Sequence, residues 1–159
     1  MEKKKRRTRG APETDRIRFL VRQPDRVVGL AKSLGMRLLS IRRNRVRILL
    51  PWSRKIRQRD GLIHGGALAT LADTAAGLGT LYLLPRGWNT LSTHLEIEFF
   101  GNIRFGSVEA EARLLHRGRK SKVWEVKIHE TGKKELLAVS IVTLLMVPPS
   151  VLNSKSGKA

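Results

Sequence analysis

Asp73 is the only charged residue between Gly61 and Pro85. In a chain with 28% charged residues, that isolation is informative, because burying a carboxylate is costly unless it is paired or hydrogen-bonded. A helix centre is the wrong place for a cap, and Asn, Ser or Ala would serve there if only folding mattered. Asp73 is therefore the candidate reactive carboxylate. Gly65 and Gly66 stand where the same apolar segment begins. The first turn of a helix carries unpaired N–H groups and the positive end of the dipole. A carbonyl docked there would have its developing negative charge stabilised. Seven residues separate Gly66 from Asp73, about 10 Å of helix rise. That is too far for both to act on one carbonyl from one helix. Two antiparallel helices from two subunits would close the gap, so the spacing predicts a homodimer with composite sites.

Other chemistries lack their residues. There is no cysteine, which excludes disulfides, thiolate nucleophiles and cysteine-based zinc sites. His64, His94, His116 and His129 show no ligand spacing with carboxylates, so neither a metal nor a cofactor is expected. No Gly-x-Ser-x-Gly elbow and no close carboxylate pair is present.

The elements that must position Asp73 follow from hydrophobic periodicity. Residues 65–84 read as one helix, apolar all round, with Leu68, Leu71, Ala72, Ala75 and Leu78 among its residues; such a helix is expected to be buried on every side. After Gly87 the period becomes two. Leu95, Ile97 and Phe99 alternate with polar residues, as do Val108, Ala110 and Ala112, and then Trp124, Val126 and Ile128. Leu136 to Met146 is almost wholly apolar, as a central strand would be. Linkers holding Gly101, Gly106, Gly118 and Gly132 suggest a meander. Upstream, residues 14–34 read as two short helices split at Pro24, and residues 36–51 as a strand or hairpin ended by Pro51. One buried helix and a sheet that curls around it make an α+β domain.

The 159 residues suit one domain. Residues 1–12 are expected to be a disordered basic arm, 13–148 the domain, and 149–159 a disordered tail. The formal charge is +19, of which the first ten residues supply +5. Such a field favours nucleic acid, anionic lipid or a phosphate-rich small molecule. With 5% aromatic residues and no recognisable motif, a specific nucleic-acid partner is not expected. No apolar run follows the basic N-terminus, so a cytoplasmic location is expected. Asp73 and the glycines argue against reading Gly61 to Pro85 as a transmembrane segment.

The run Gln58-Arg59-Asp60-Gly61-Leu62-Ile63-His64-Gly65-Gly66, with Asp73 nine residues after His64, resembles the signature of phenylacetate-degradation-type (PaaI-like) hotdog thioesterases. Ser92 to Phe100 and Leu115 to Lys120 resemble later parts of that pattern, so the likeness covers roughly residues 35–148. It implies a hotdog fold, a curved antiparallel sheet around one long helix, and hydrolysis of an acyl-CoA without a cofactor. It assigns Asp73 as nucleophile or general base and Gly65 N–H as the oxyanion donor. Gln58 and His64 would position substrate, with Gly66 at the same helix start. Ser92, or else Thr93, would help Asp73 orient water. Arg117, Gly118, Arg119, Lys120 and Lys122 would meet the CoA phosphates, in a homodimer or a dimer of dimers. Asn102 departs from the pattern, which often has Pro after the Phe-containing strand. The alternatives are a hotdog protein that binds acyl-CoA without catalysis, and a hotdog hydratase or dehydratase.

Overall fold

The structure is a computed structural model that describes residues 29–153. The basic arm at 1–12 and most of the 14–34 helical segment lie outside those residues; only helix α1, Gly29–Ser33, falls within them. The reading of 36–51 resolves as a hairpin, β1 (Arg37–Arg42) and β2 (Arg45–Leu50). A single 3-10 turn at Arg54–Ile56 leads to the long helix α2, Gly65–Leu83. Strands β3 (Asn89–Phe99), β4 (Val108–Arg117), β5 (Ser121–Glu130) and β6 (Leu136–Val147) follow. The segment after 148 opens with a short helix, α3, Pro149–Asn153.

The six strands form one antiparallel sheet in the order β1-β2-β4-β5-β6-β3. It is not a simple meander. β3 pairs with β6 at the far edge, so the chain must cross the end of the sheet to start β4 beside β2. The crossing segment, residues 100–107, runs past the N-terminal end of α2.

Helix α2 is seated by one stripe only. Leu68, Leu71, Ala72, Ala75, Ala76 and Gly79 are buried, at the alternating spacing that keeps a single helix face against the sheet. Opposite them, Ala69, Thr70, Asp73, Thr74 and Gly77 are half-buried. The expectation of burial on every side is therefore corrected. In one chain the sheet covers one face, and the small-residue face that carries Asp73 stays open.

The fit of helix to sheet is set at its C-terminal half. The Trp124 ring is fully buried, and its indole N–H donates to Thr80 Oγ1 at 2.9 Å. A Cβ on Gly79 would lie 2.6 Å from that ring, so only glycine admits the tryptophan there. On the outer face of the sheet, charged pairs replace the core. Arg45 and Arg113 both bond Glu111, and Arg47 clasps Glu109 with Nη2 to Oε2 at 3.0 Å. Burial opposes ionisation of Glu111, but hydrogen bonds and charge from Arg45 and Arg113 outweigh it and hold the carboxyl below its ordinary range.

Two predictions follow from this packing. Gly79→Ala should destabilise the domain by about 1–3 kcal/mol through overpacking against Trp124, read as a lower midpoint in urea unfolding. A carboxyl held below its unfolded range stabilises above that range and loses its effect as pH falls through the folded value. Glu111→Gln should therefore lower stability at neutral pH, and the difference from wild type should vanish in acid below the ordinary carboxylate range.

Candidate active site

The helix start is assembled from three segments. Gln58 begins a tight turn, its N–H donating to Leu62 O at 2.9 Å and its carbonyl accepting from Gly61 N at 3.0 Å. Gly61 takes φ +84°, where a side chain would be strained. Arg57 and Ile63 then form an isolated bridge, and His64 N donates to Ile56 O at 2.7 Å. The crossing segment clamps this loop. Asn102 Oδ1 accepts from Ile63 N at 3.1 Å while its Nδ2 donates to Ile63 O at 2.8 Å. The side-chain amide thus imitates a strand neighbour for one residue, immediately before His64. Arg104 holds Asp60 O, and Trp52 Nε1 donates to Arg104 O at 2.7 Å.

His64 is the N-cap of α2. Its Nδ1 accepts from Gly66 N at 2.8 Å, and its carbonyl takes Ala67 N at 2.8 Å and Leu68 N at 3.4 Å. In the neutral ring the remaining proton then sits on Nε2. Gly65 N–H alone in this first turn has no hydrogen-bond partner among the described residues. Each glycine has its own steric reason. A Cβ on Gly65 would sit 3.2 Å from the Phe99 ring, and one on Gly66 would sit 3.0 Å from the His64 Nδ1 it caps. The helix tip thus presents one free donor at the positive end of the dipole.

Asp73 lies on the open face of α2, half-buried, and accepts a hydrogen bond from Ser92 Oγ at 2.5 Å on Oδ1. This separates the two candidates. Ser92 faces the carboxylate, whereas Thr93 donates to Thr143 O at 3.2 Å within the sheet. The cause is a β-bulge. The register of β3 on β6 shifts between Ser92 and His94, leaving Thr93 between pairs. By plain alternation Ser92 and Phe99 would face opposite sides. The extra residue lets both face α2, Ser92 at Asp73 and Phe99 at Gly65. Gly66 and Asp73, two turns apart, share one face of the helix, and Gly65 lies about 12 Å along the axis from Asp73. One chain does not bring tip and carboxylate together.

The remaining predicted residues lie elsewhere. Arg117 ends β4, and Gly118, Arg119 and Lys120 form the turn into β5, at the C-terminal end of α2. Arg117, Arg119 and Lys120 are exposed. Lys122 is 4% exposed and turns inward, where its Nζ donates to Gly118 O at 2.5 Å and touches Met146 Sδ at 3.1 Å. Burial, with the nearby Arg117 charge, pushes its pKa down. Lys122 therefore braces the turn from beneath. The Gln58 amide makes no hydrogen bond among the described residues. No group of His, Asp and Glu among those residues could hold a metal ion. No described helix is long and apolar enough to cross a membrane.

Residues 60–136 match the thioesterase superfamily, and the sheet packed on one long helix is the hotdog architecture of the solved thioesterases the chain resembles. With those likenesses the chain is a thioester hydrolase. It is similar to 1,4-dihydroxy-2-naphthoyl-CoA hydrolase of Listeria monocytogenes, 27% identical over 117 residues, or 74% of this chain and 94% of that one. Proofreading thioesterase EntH of Klebsiella pneumoniae is 33% identical over 86 residues, 54% of this chain and 63% of its own length. A Staphylococcus aureus thioesterase has been solved with a glutamate changed to alanine and, separately, a glutamine changed to alanine. Both structures superpose with a TM-score of 0.72, at 29% and 28% identity, over 76% and 75% of this chain and 99% and 98% of theirs.

Sequence reasoning passed over Asn102 as a departure from pattern. The available signal was local: an Asn next to a Gly at a strand end is a residue that bonds backbone. Asn102→Ala should leave the Ile63 amide pair short of its clamp and cost about 1–3 kcal/mol of stability. Amide exchange at Ile63 and Ile103 should speed up more than at the Val126 core position.

Proposed function

We propose that the chain hydrolyses an acyl-CoA at a site shared by two subunits, with Asp73 of one chain facing the Gly65 tip of the other. The observation that carries this is the Ser92–Asp73 hydrogen bond on the uncovered face of α2. A carboxylate oriented by a neighbouring hydroxyl, on a helix face the sheet does not cover, is placed for chemistry rather than for packing. The two altered positions in the Staphylococcus aureus thioesterase, a glutamine and a glutamate, are 15 residues apart, the same separation as Gln58 and Asp73. The Listeria relative is a 1,4-dihydroxy-2-naphthoyl-CoA hydrolase.

Gly65 N–H donates to the thioester oxygen and stabilises the negative charge that develops on it, helped by the helix dipole. His64 locks the neighbouring Gly66 N–H and leaves its Nε2–H available toward the substrate. Ser92 occupies Oδ1 of Asp73, so the other oxygen, Oδ2, attacks the carbonyl carbon or takes a proton from the water that does. The carbon–sulfur bond breaks and the thiolate leaves. In the general-base route Asp73 returns the water's proton to it. In the direct route water then cleaves the acyl–Asp73 anhydride, releasing the free acid, regenerating the carboxylate and supplying the thiolate's proton. Gln58 lies on the loop that precedes the tip and positions the acyl end. Arg117, Arg119 and Lys120 pair with the CoA phosphates, with Gly118 giving the turn its tight shape and Lys122 holding it.

Asp73→Asn should reduce turnover of acyl-CoA, followed by free-thiol release, at least about a thousandfold while leaving fold and assembly unchanged. Ser92→Ala should lower kcat about tenfold with a smaller effect on KM. Full turnover by Asp73→Asn would remove the assigned role. A single turnover in heavy-oxygen water tests for direct attack, since label in the Asp73 carboxyl can arise only by way of an acyl–Asp73 anhydride.

A further inference from the structure

One end of the sheet gathers more cations than the proposed reaction uses. The β1–β2 turn carries Arg42 and Arg43, and the hydrogen bond from Leu114 N to Asn44 O at 3.1 Å ties it to the end of β4. The β4–β5 turn adds Arg117, Arg119 and Lys120, and Lys120 O accepts from Met146 N at 2.9 Å, which continues the same edge to β6. Arg86 stands just before β3, whose first residue pairs with Val147 of β6. All six side chains are exposed. Among the described residues none of them forms an ion pair. The acids nearest this end in the strands, Glu96 and Glu125, lie level with Ile141 inside the sheet, where they face His94 and Lys127. Asp60, Glu98, Glu130 and Glu135 lie toward the opposite end, by the start of α2, the end of β3 and the β5–β6 turn. The six cations therefore line this end as a rim, with no acid paired to any of them among the described residues.

The rim crosses the full width of a six-stranded sheet, about 24 Å at the usual strand spacing. That is wider than the phosphates of one CoA, and Arg42, Arg43 and Arg86 flank rather than repeat the turn assigned to them. Leu115, 57% exposed, lies within the rim where a bulge interrupts β4. Among the described residues the exposed aromatic rings, Phe99, Phe100 and Phe105, are at the other end. A single-stranded nucleic acid needs stacking platforms beside its cations. An anionic bilayer needs a broad row of cations and an apolar side chain for the headgroup boundary. We propose that this rim docks the protein on an anionic lipid surface, goes beyond the hydrolytic reading, and holds whether or not that reading stands.

The test is flotation of the full chain with vesicles of equal parts phosphatidylcholine and phosphatidylglycerol, against phosphatidylcholine alone, with acyl-CoA turnover measured alongside. The wild type should float with the anionic vesicles only, and less at high salt. Arg42→Glu/Arg43→Glu should lower partitioning at least about tenfold, with turnover of soluble acyl-CoA unchanged. Undiminished flotation of that double variant would assign binding to other charges and overturn the rim. Absence of wild-type flotation, or retention of an RNA oligonucleotide in its place, would overturn it equally.

Discussion

The seating of α2 on the sheet is the constraint from which the rest follows. A stripe of alanines, leucines and Gly79 lets the helix settle close, and Trp124 fixes its depth by filling the space a side chain at position 79 would need. Close seating on one face leaves the other uncovered. That is why a helix with hardly a polar residue can still hold a carboxylate within reach of a substrate, and why the half-buried Asp73 finds its partner on an edge strand. Dispersion and steric fit in the core thus determine where the candidate acid stands.

The second constraint is register. The bulge at Thr93 changes which residues of β3 look at the helix, so that one strand supplies both Ser92 for the carboxylate and Phe99 for the glycine tip. The crossover that carries the chain from β3 to β4 has a consequence of its own. It passes the start of α2, where Asn102 and Arg104 hold the loop that orients His64 and Gly65. Tip and acid are positioned by different parts of the chain and lie too far apart on one helix to share a carbonyl, which is the geometric ground for the proposed second subunit.

Much of this was legible in the residues. The long helix and the strands that follow it show plainly in the 3.6 and 2.0 periods, residues 36–51 read as a strand or a hairpin, and the isolation of Asp73 and the glycine pair marks both halves of the candidate site. What periodicity hides is pairing. No local pattern says that β3 joins β6 rather than β4, since that depends on how the sheet closes around the helix. Nor does composition reveal which apolar residues of α2 face outward, because alanine and glycine are equally suited to a buried stripe and to an open one. Ser92 and Thr93 could not be told apart before the bulge was seen, and Lys122 reads as one more surface cation although its ammonium is drawn under the turn. The polar role of Asn102 is legible only locally, in an Asn beside a Gly at a strand end.

Whether the site is shared between chains is tested most directly by mixing two inactive variants. Asp73→Asn keeps the Gly65 tip, and Gly65→Pro keeps Asp73 but removes the tip N–H. Unfolding and refolding them together at equal amounts should restore about one quarter of wild-type thioester hydrolysis, because half the dimers are mixed and each mixed dimer rebuilds one intact site. No activity from the mixture, with mixed dimers present, would contradict a site built from two subunits.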